Sequence, residues 1–273
     1  MATPGINKTT AGLIDQLMDR ASEALVGTNY FEAEVLSLRA LAQARRANDF
    51  ERMARICLPL QEARRQRRQI ACDVSGCSIV TELPARGERL KGGRYLVSPP
   101  LVGKDGRVLR EMCERQAVSV MVLVREPQNR AGKWPIVGVG TGPREPIVVR
   151  AYVDPPGTAC LQCALEASEA GAQGLNGSVT SSAVKMLKSS DEDQISLAWY
   201  LLAHEALGDA AIAKAPQDVP ADHHVDDLLD SLEAVPDHEK LVQALSQACR
   251  AAAGAPISEL PRRRPLLQDA WSF

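Results

Sequence analysis

Aromatic residues are scarce, 4% of a 273-residue chain. That argues against an all-β sandwich and against a base-stacking platform for nucleic acid, which both lean on aromatic rings. No stretch approaches the roughly 18 consecutive apolar residues of a membrane-spanning helix, so no membrane partner is expected. The opening residues MATPGINKTTAGLIDQ lack the basic start and apolar stretch of a secretory signal. There is no HExxH, and neither Ser98 nor Ser119 sits in a GxSxG elbow. The glycines of VGVGTGPRE precede another β-branched run instead of a helix, which removes the dipole a phosphate loop needs. The net charge of −2 makes nucleic acid an unlikely partner for the chain as a whole.

What is present is ordinary for a globular chain, with 45% hydrophobic and 24% charged residues. The seven cysteines are an odd number without a signal, which reads as reduced thiols and a cytoplasmic location. The small net charge conceals an asymmetry. Residues 1–156 hold 24 Lys and Arg against 17 Asp and Glu, whereas residues 157–273 hold 8 against 17. Two such regions either attract each other or meet different partners.

Hydrophobic periodicity divides the chain into four parts. Residues 1–70 read as three helices. Their apolar faces are Leu13, Ile14, Leu17 and Met18; then Val35, Leu36, Leu38 and Leu41; then Met53, Ile56, Cys57 and Leu60. Residues 71–156 turn rich in Gly, Pro and β-branched residues. Strands are expected at 78–83, 94–97, 118–124, 135–139 and 146–153. A helix at 103–116 carries Val108, Leu109, Met112 and Cys113 on one face, with Arg107, Arg110, Glu111, Glu114 and Arg115 opposite. A strand–helix–strand order implies a parallel βαβ unit, and the loop 126–133 resembles a hairpin, so a small mixed sheet follows. Residues 157–254 form an acidic helical segment. Its longer helix opens at Ser190, and Pro236 is placed at the first position of the last helix. Residues 255–273 read as an extended tail. The expected fold class is therefore α+β, with the two helical parts folded against each other on one side of the sheet.

Within residues 1–70 the segments NYFEAEVL and NDFERMAR echo each other nineteen residues apart. Each offers Asn as a helix cap, then an aromatic and a Glu. With Tyr30, Ala33 and Ala40 near the right spacing, this stretch resembles the helix–turn–helix units of tetratricopeptide-repeat proteins. The resemblance implies stacked antiparallel helices whose grooves take peptides. Arg45, Arg46, Arg52 and Arg55 would then suit an acidic partner, and Trp271 and Phe273 in the tail would anchor in another protein or another copy. The primary expectation is a non-enzymatic adaptor.

Two further constellations bear on chemistry. Cys72 and Cys77 form a CxxxxC knuckle, and Cys160 and Cys163 a CxxC knuckle 83 residues beyond it. Four thiolates could hold a structural zinc, and the other readings are a redox CxxC and four unpaired thiols. The second constellation lies at the carboxyl ends of the parallel strands, where α/β sheets bind ligands. Ser98, Lys104, Asp105, Arg125, Glu126 and Arg130 are the candidates there for a small-molecule or enzymatic site. The run Asp222-His223-His224 with Asp226 and Asp227 reads as a solvated helix N-terminus, because adjacent histidines point to different sides of a helix. His204 and His238 stand isolated in the sequence.

Overall fold

The computed structural model describes residues 8–141, 146–157 and 195–259. The fold is α+β. Helices α1 (Lys8–Val26), α2 (Tyr30–Arg46) and α3 (Phe50–Asp73) pack in succession, α1 on α2 and α2 on α3. The expected apolar faces make the contact, apart from Leu13, which is 45% exposed. Ile14, Leu36, Leu41, Met53, Ile56 and Leu60 are buried, and Ala21, Ala33, Ala40 and Ala63 let the helices approach. The turns work differently from the expected Asn caps. Asn48 adopts φ 53° and is the turn residue, a conformation Asn tolerates better than most. Asp49 is the cap instead, its carboxylate accepting from the Arg52 backbone N–H at 3.0 Å. Asn29 precedes α2 without a side-chain cap bond.

Strands β1 (Cys77–Val80), β2 (Gly93–Val97) and β3 (Val120–Val124) form a parallel sheet in that order, and α4 (Gly103–Arg115) is the crossover from β2 to β3. Strands β4 (Trp134–Gly140) and β5 (Ile147–Val153) pair antiparallel. A bridge between Arg125 and Ile136 joins the two sheets. The nearly continuous apolar run of β3 reflects cover on both faces. Val120 and Val124 pack toward Leu109 and Cys113 of α4, while Met121 and Leu123 belong to the main core with α3 and the C-terminal helices. Gly106 permits the close approach of α4: a Cβ there would stand 2.1 Å from a Val124 methyl.

The C-terminal helices are α5 (Leu197–Lys214), α6 (Ala221–Ala234) and α7 (Glu239–Ala253). The expected opening at Ser190 lies outside the described residues. Ser196 caps α5, accepting from the Trp199 N–H at 3.2 Å. Pro236 does not start α7, which begins three residues later; its carbonyl instead accepts from Arg64 Nη1 at 2.8 Å. His238 is the cap, with Nδ1 accepting from the Leu241 N–H at 3.3 Å. Helix α5 is anchored to the parallel sheet by Tyr200, whose buried hydroxyl lies 2.9 Å from the Tyr95 carbonyl and 2.8 Å from that of Met121.

Ion pairs between the basic and acidic regions meet part of the charge asymmetry inside the molecule. Helix α7 packs along α3. Arg45 grips Asp226 of α6 with two bonds of 2.6 and 2.7 Å, and Arg68 meets Glu239 at 3.0 Å. At the centre lies Glu34, buried on α2 between Arg64 at 2.7 Å and Arg67, whose guanidinium also covers the Phe31 ring. Burial pushes the Glu34 carboxyl up, but the two guanidiniums more than offset that and hold it below the ordinary carboxylate range.

Removing Glu34 leaves two buried cations facing each other. Glu34→Ala is expected to lower the unfolding free energy by about 3–5 kcal/mol, read by urea denaturation followed by circular dichroism. Because the folded pKa is depressed, this contribution is present above the ordinary carboxylate pKa and fades as the pH falls through the folded value. A loss under about 1 kcal/mol, the scale of an exposed pair, would show that the cluster does not hold α2 to α3.

Candidate functional site

At the carboxyl ends of the strands, Ser98 and Arg125 meet as the parallel topology requires. Arg125 Nε donates to Ser98 Oγ at 3.1 Å, and its guanidinium lies 4.3 Å from the centre of the Trp134 ring. The other candidates turn elsewhere. Glu126 accepts from Arg150 of β5 at 3.1 and 2.9 Å. Asp105 accepts from the Val102 N–H at 2.8 Å and closes the first turn of α4. Lys104 and Arg130 are exposed. These six residues do not converge on one point.

The CxxxxC knuckle is organised by an arginine. Buried Arg94 donates to the carbonyls of Cys72, Val74 and Gly76 at 2.8, 3.0 and 2.6 Å, so the loop wraps a guanidinium. Cys72 Sγ lies 3.5 Å from Met121 Sδ. Burial pushes the Cys72 thiol up, and that of Cys77 to about 11. Both are thiols at neutral pH, and a metal would have to displace their protons. Cys160 and Cys163 lie outside the described residues, as do Trp271 and Phe273.

The four arginines divide. Arg45 is buried against Asp226, and Arg52 spans Asp15 at 2.8 and 2.9 Å and Asp49 at 2.8 Å. Arg46 and Arg55 are exposed. Two of the residues assigned to an acidic partner are thus used by acids of this chain. The start of α6 is also less solvated than its sequence implies. Asp222 and His223 are buried, and His224 Nδ1 lies 2.7 Å from the Pro216 carbonyl.

The constellation that sequence reasoning missed sits where the sheet divides. Beyond the Arg125–Ile136 bridge, β3 and β4 leave a cleft. Val122–Val124 line one side and Val137–Val139 the other, with the first half of α4 and the turn from α6 to α7. Its polar groups are Arg107 and Arg110 of α4, His204 of α5 and Asp237 of the turn. The cavity measures about 20 Å³, room for little more than one water. His204 is 5% exposed, and its Nδ1 is buried with no hydrogen-bond partner. Burial lowers its pKa to about 4 despite the attraction of Asp237. The imidazole is therefore neutral at pH 7. Arg107 pairs with Glu111 at 2.7 Å. Arg110 has no carboxylate within ion-pair distance among the described residues, and its contact across the cleft is a long 3.5 Å approach to the Glu233 carbonyl. Nearby Glu114 and Glu233 are both pushed up by burial.

Behind the cleft, His204 and His238 come together with ring centres 5.7 Å apart. Glu205, Asp209 and His238 gather closely enough to consider a metal. The histidine and carboxylates already hold partners within the chain. His238 Nδ1 accepts from Leu241, so the neutral ring carries its proton on Nε2, which faces Glu205 Oε2 at 3.3 Å. The Lys240 ammonium already occupies the carboxylates, 2.7 Å from Glu205 and 3.7 Å from Asp209. This cluster fastens α5 to the start of α7.

No family model, curated protein or solved structure matches the chain.

A buried neutral histidine makes stability depend on pH. The folded pKa of His204 lies below its ordinary 6.5, so its contribution is present above that value and is lost as the pH falls toward 4. Stability is expected to drop by about 3 kcal/mol between pH 7 and pH 4 from this group alone. Urea denaturation at the two pH values, on the native chain and on His204→Gln, isolates the effect. Equal pH slopes in the two proteins would refute it.

Proposed function

We propose that the chain is a non-enzymatic protein-interaction module that receives an acidic segment of a partner on the outer face of α3. The observation that carries this reading is the stripe Arg55, Leu58 and Arg65. These residues lie at i, i+3 and i+10, all on the solvent side of α3. Leu58 is 63% exposed, a large apolar side chain with Arg55 one turn before it and Arg65 two turns after it, and Glu51 and Glu62 share the stripe. The opposite side of α3 is fixed by α2 and α7, which gives the stripe a rigid backing. A rigid face costs less ordering on binding than a loop does. Arg55 has no ion-pair partner among the described residues, and Arg65 makes only a 3.8 Å approach to Glu62. An amphipathic segment with an apolar anchor and flanking acids fits this pattern, in the helix-on-helix manner of other peptide receptors.

The test is a double variant, Arg55→Glu with Leu58→Asp. Both positions are exposed, so thermal stability should change by no more than about 0.5 kcal/mol. In affinity capture from the source cell, the native protein should retain a partner that the variant loses, and raised salt should weaken the capture. Identical sets of captured proteins from the two forms would remove the support for α3 as the docking face.

A further inference from the structure

We propose that the cleft between the two sheets binds a small oxyanion that carries a hydroxyl, of which hydrogen phosphate is the type, with Arg107 and Arg110 gripping its oxygens and Asp237 accepting from its hydroxyl. Four features of the cleft support this. The first is the pair of cations. Arg107 and Arg110 lie three residues apart on one helix and both line the cleft, the spacing that places two side chains on one face. Guanidinium groups suit oxyanions because their N–H donors match paired oxygens.

The second is the unfilled hydrogen-bonding capacity. His204 lines the cleft, is more than nine-tenths buried, and holds a ring nitrogen without a partner. Buried polar atoms are rarely left so. Arg110 likewise lacks a carboxylate partner among the described residues. A neutral imidazole can donate to or accept from a ligand without adding charge.

The third is the main chain. Gly103 opens α4 and lines the cleft, and a Cβ there would stand 2.5 Å from a Val139 methyl. The helix start therefore lies directly against β4, and its N-terminal dipole favours negative charge nearby. The fourth is Asp237. A bare anion such as sulfate would be repelled by this carboxylate, whereas a protonated oxyanion offers it a hydrogen bond. The cleft is narrow as it stands, and Arg110 gives up only a long 3.5 Å approach to the Glu233 carbonyl when it turns to an oxyanion.

The experiment is calorimetric titration of the full chain with inorganic phosphate at neutral pH, with sulfate as the comparison. Saturable phosphate binding is expected, with sulfate weaker. Arg110→Gln, at a partly buried position, should weaken phosphate binding at least about tenfold while leaving the circular dichroism spectrum unchanged. Asp237→Asn should bring sulfate and phosphate affinities together, a change that a merely structural aspartate would not produce. Absence of saturable phosphate binding to the native chain overturns the proposal. So does an Arg110→Gln protein that binds phosphate as the native chain does, or an Asp237→Asn protein that keeps the native preference.

Discussion

The buried carboxylate of Glu34 is the constraint on which the rest of the assembly depends. A lone charge in that position would be expelled or protonated. It is retained because Arg64 and Arg67 of α3 close on it, and this fixes the rotation of α3 about its own axis. With that rotation set, Arg64 has a second donor facing the Pro236 carbonyl at 2.8 Å. The turn from α6 to α7 is thereby held to the helical layer. Asp237 and His238 follow directly, so the side chains that border the cleft and cap α7 take their positions from a pair made between α2 and α3. Packing of small residues permits the same geometry but does not select it. The buried charges do, since one turn of slippage would leave them unpaired.

The fold was largely legible because its elements are governed by local pattern. The run at 118–124 announced a strand covered on both faces, and Leu109 with Cys113 announced the buried side of α4. These depend on spacing within one segment, and both emerge, the strand two residues shorter as Val120–Val124. The site was not legible in the same way. Arg107, Arg110, His204 and Asp237 come from three separate elements and share no motif. Arg45 shows the difficulty from the other side. An arginine on an amphipathic helix looks free for a partner, yet its partner is Asp226, 181 residues away in the same chain. The one local signal was Gly103 and Gly106 on the face of α4 beside Arg107 and Arg110. Glycine at that spacing in a helix costs stability, and close contact with the sheet is what the structure gives in return.

The opposed charges of the two halves illustrate how composition can be read too literally. A basic region beside an acidic one suggests two external partners. Here Arg45 with Asp226, Arg68 with Glu239 and Gln61 with Glu239 show one half serving as the counter-surface of the other. Other cations stay exposed, among them Arg55 and Arg65 on α3 and Arg39, Arg86, Arg89 and Lys104 elsewhere.

The separation in sequence between these pairs also sets a schedule. Helix α3 leaves the ribosome long before its counter-surface exists, because Pro236 follows Arg64 by 172 residues. At ordinary elongation speeds of 5–20 residues per second, that interval is roughly 10–35 s. During it the α7-facing side of α3, with Ala54, Gln61 and Arg68, stands open to water and to other nascent chains. The Glu34 cluster is local enough to form at once, 30 and 33 residues from its arginines, so the helical layer can be ordered early while its face waits. Synthesis of this protein therefore includes a period in which a finished helical layer displays the surface that α7 later covers.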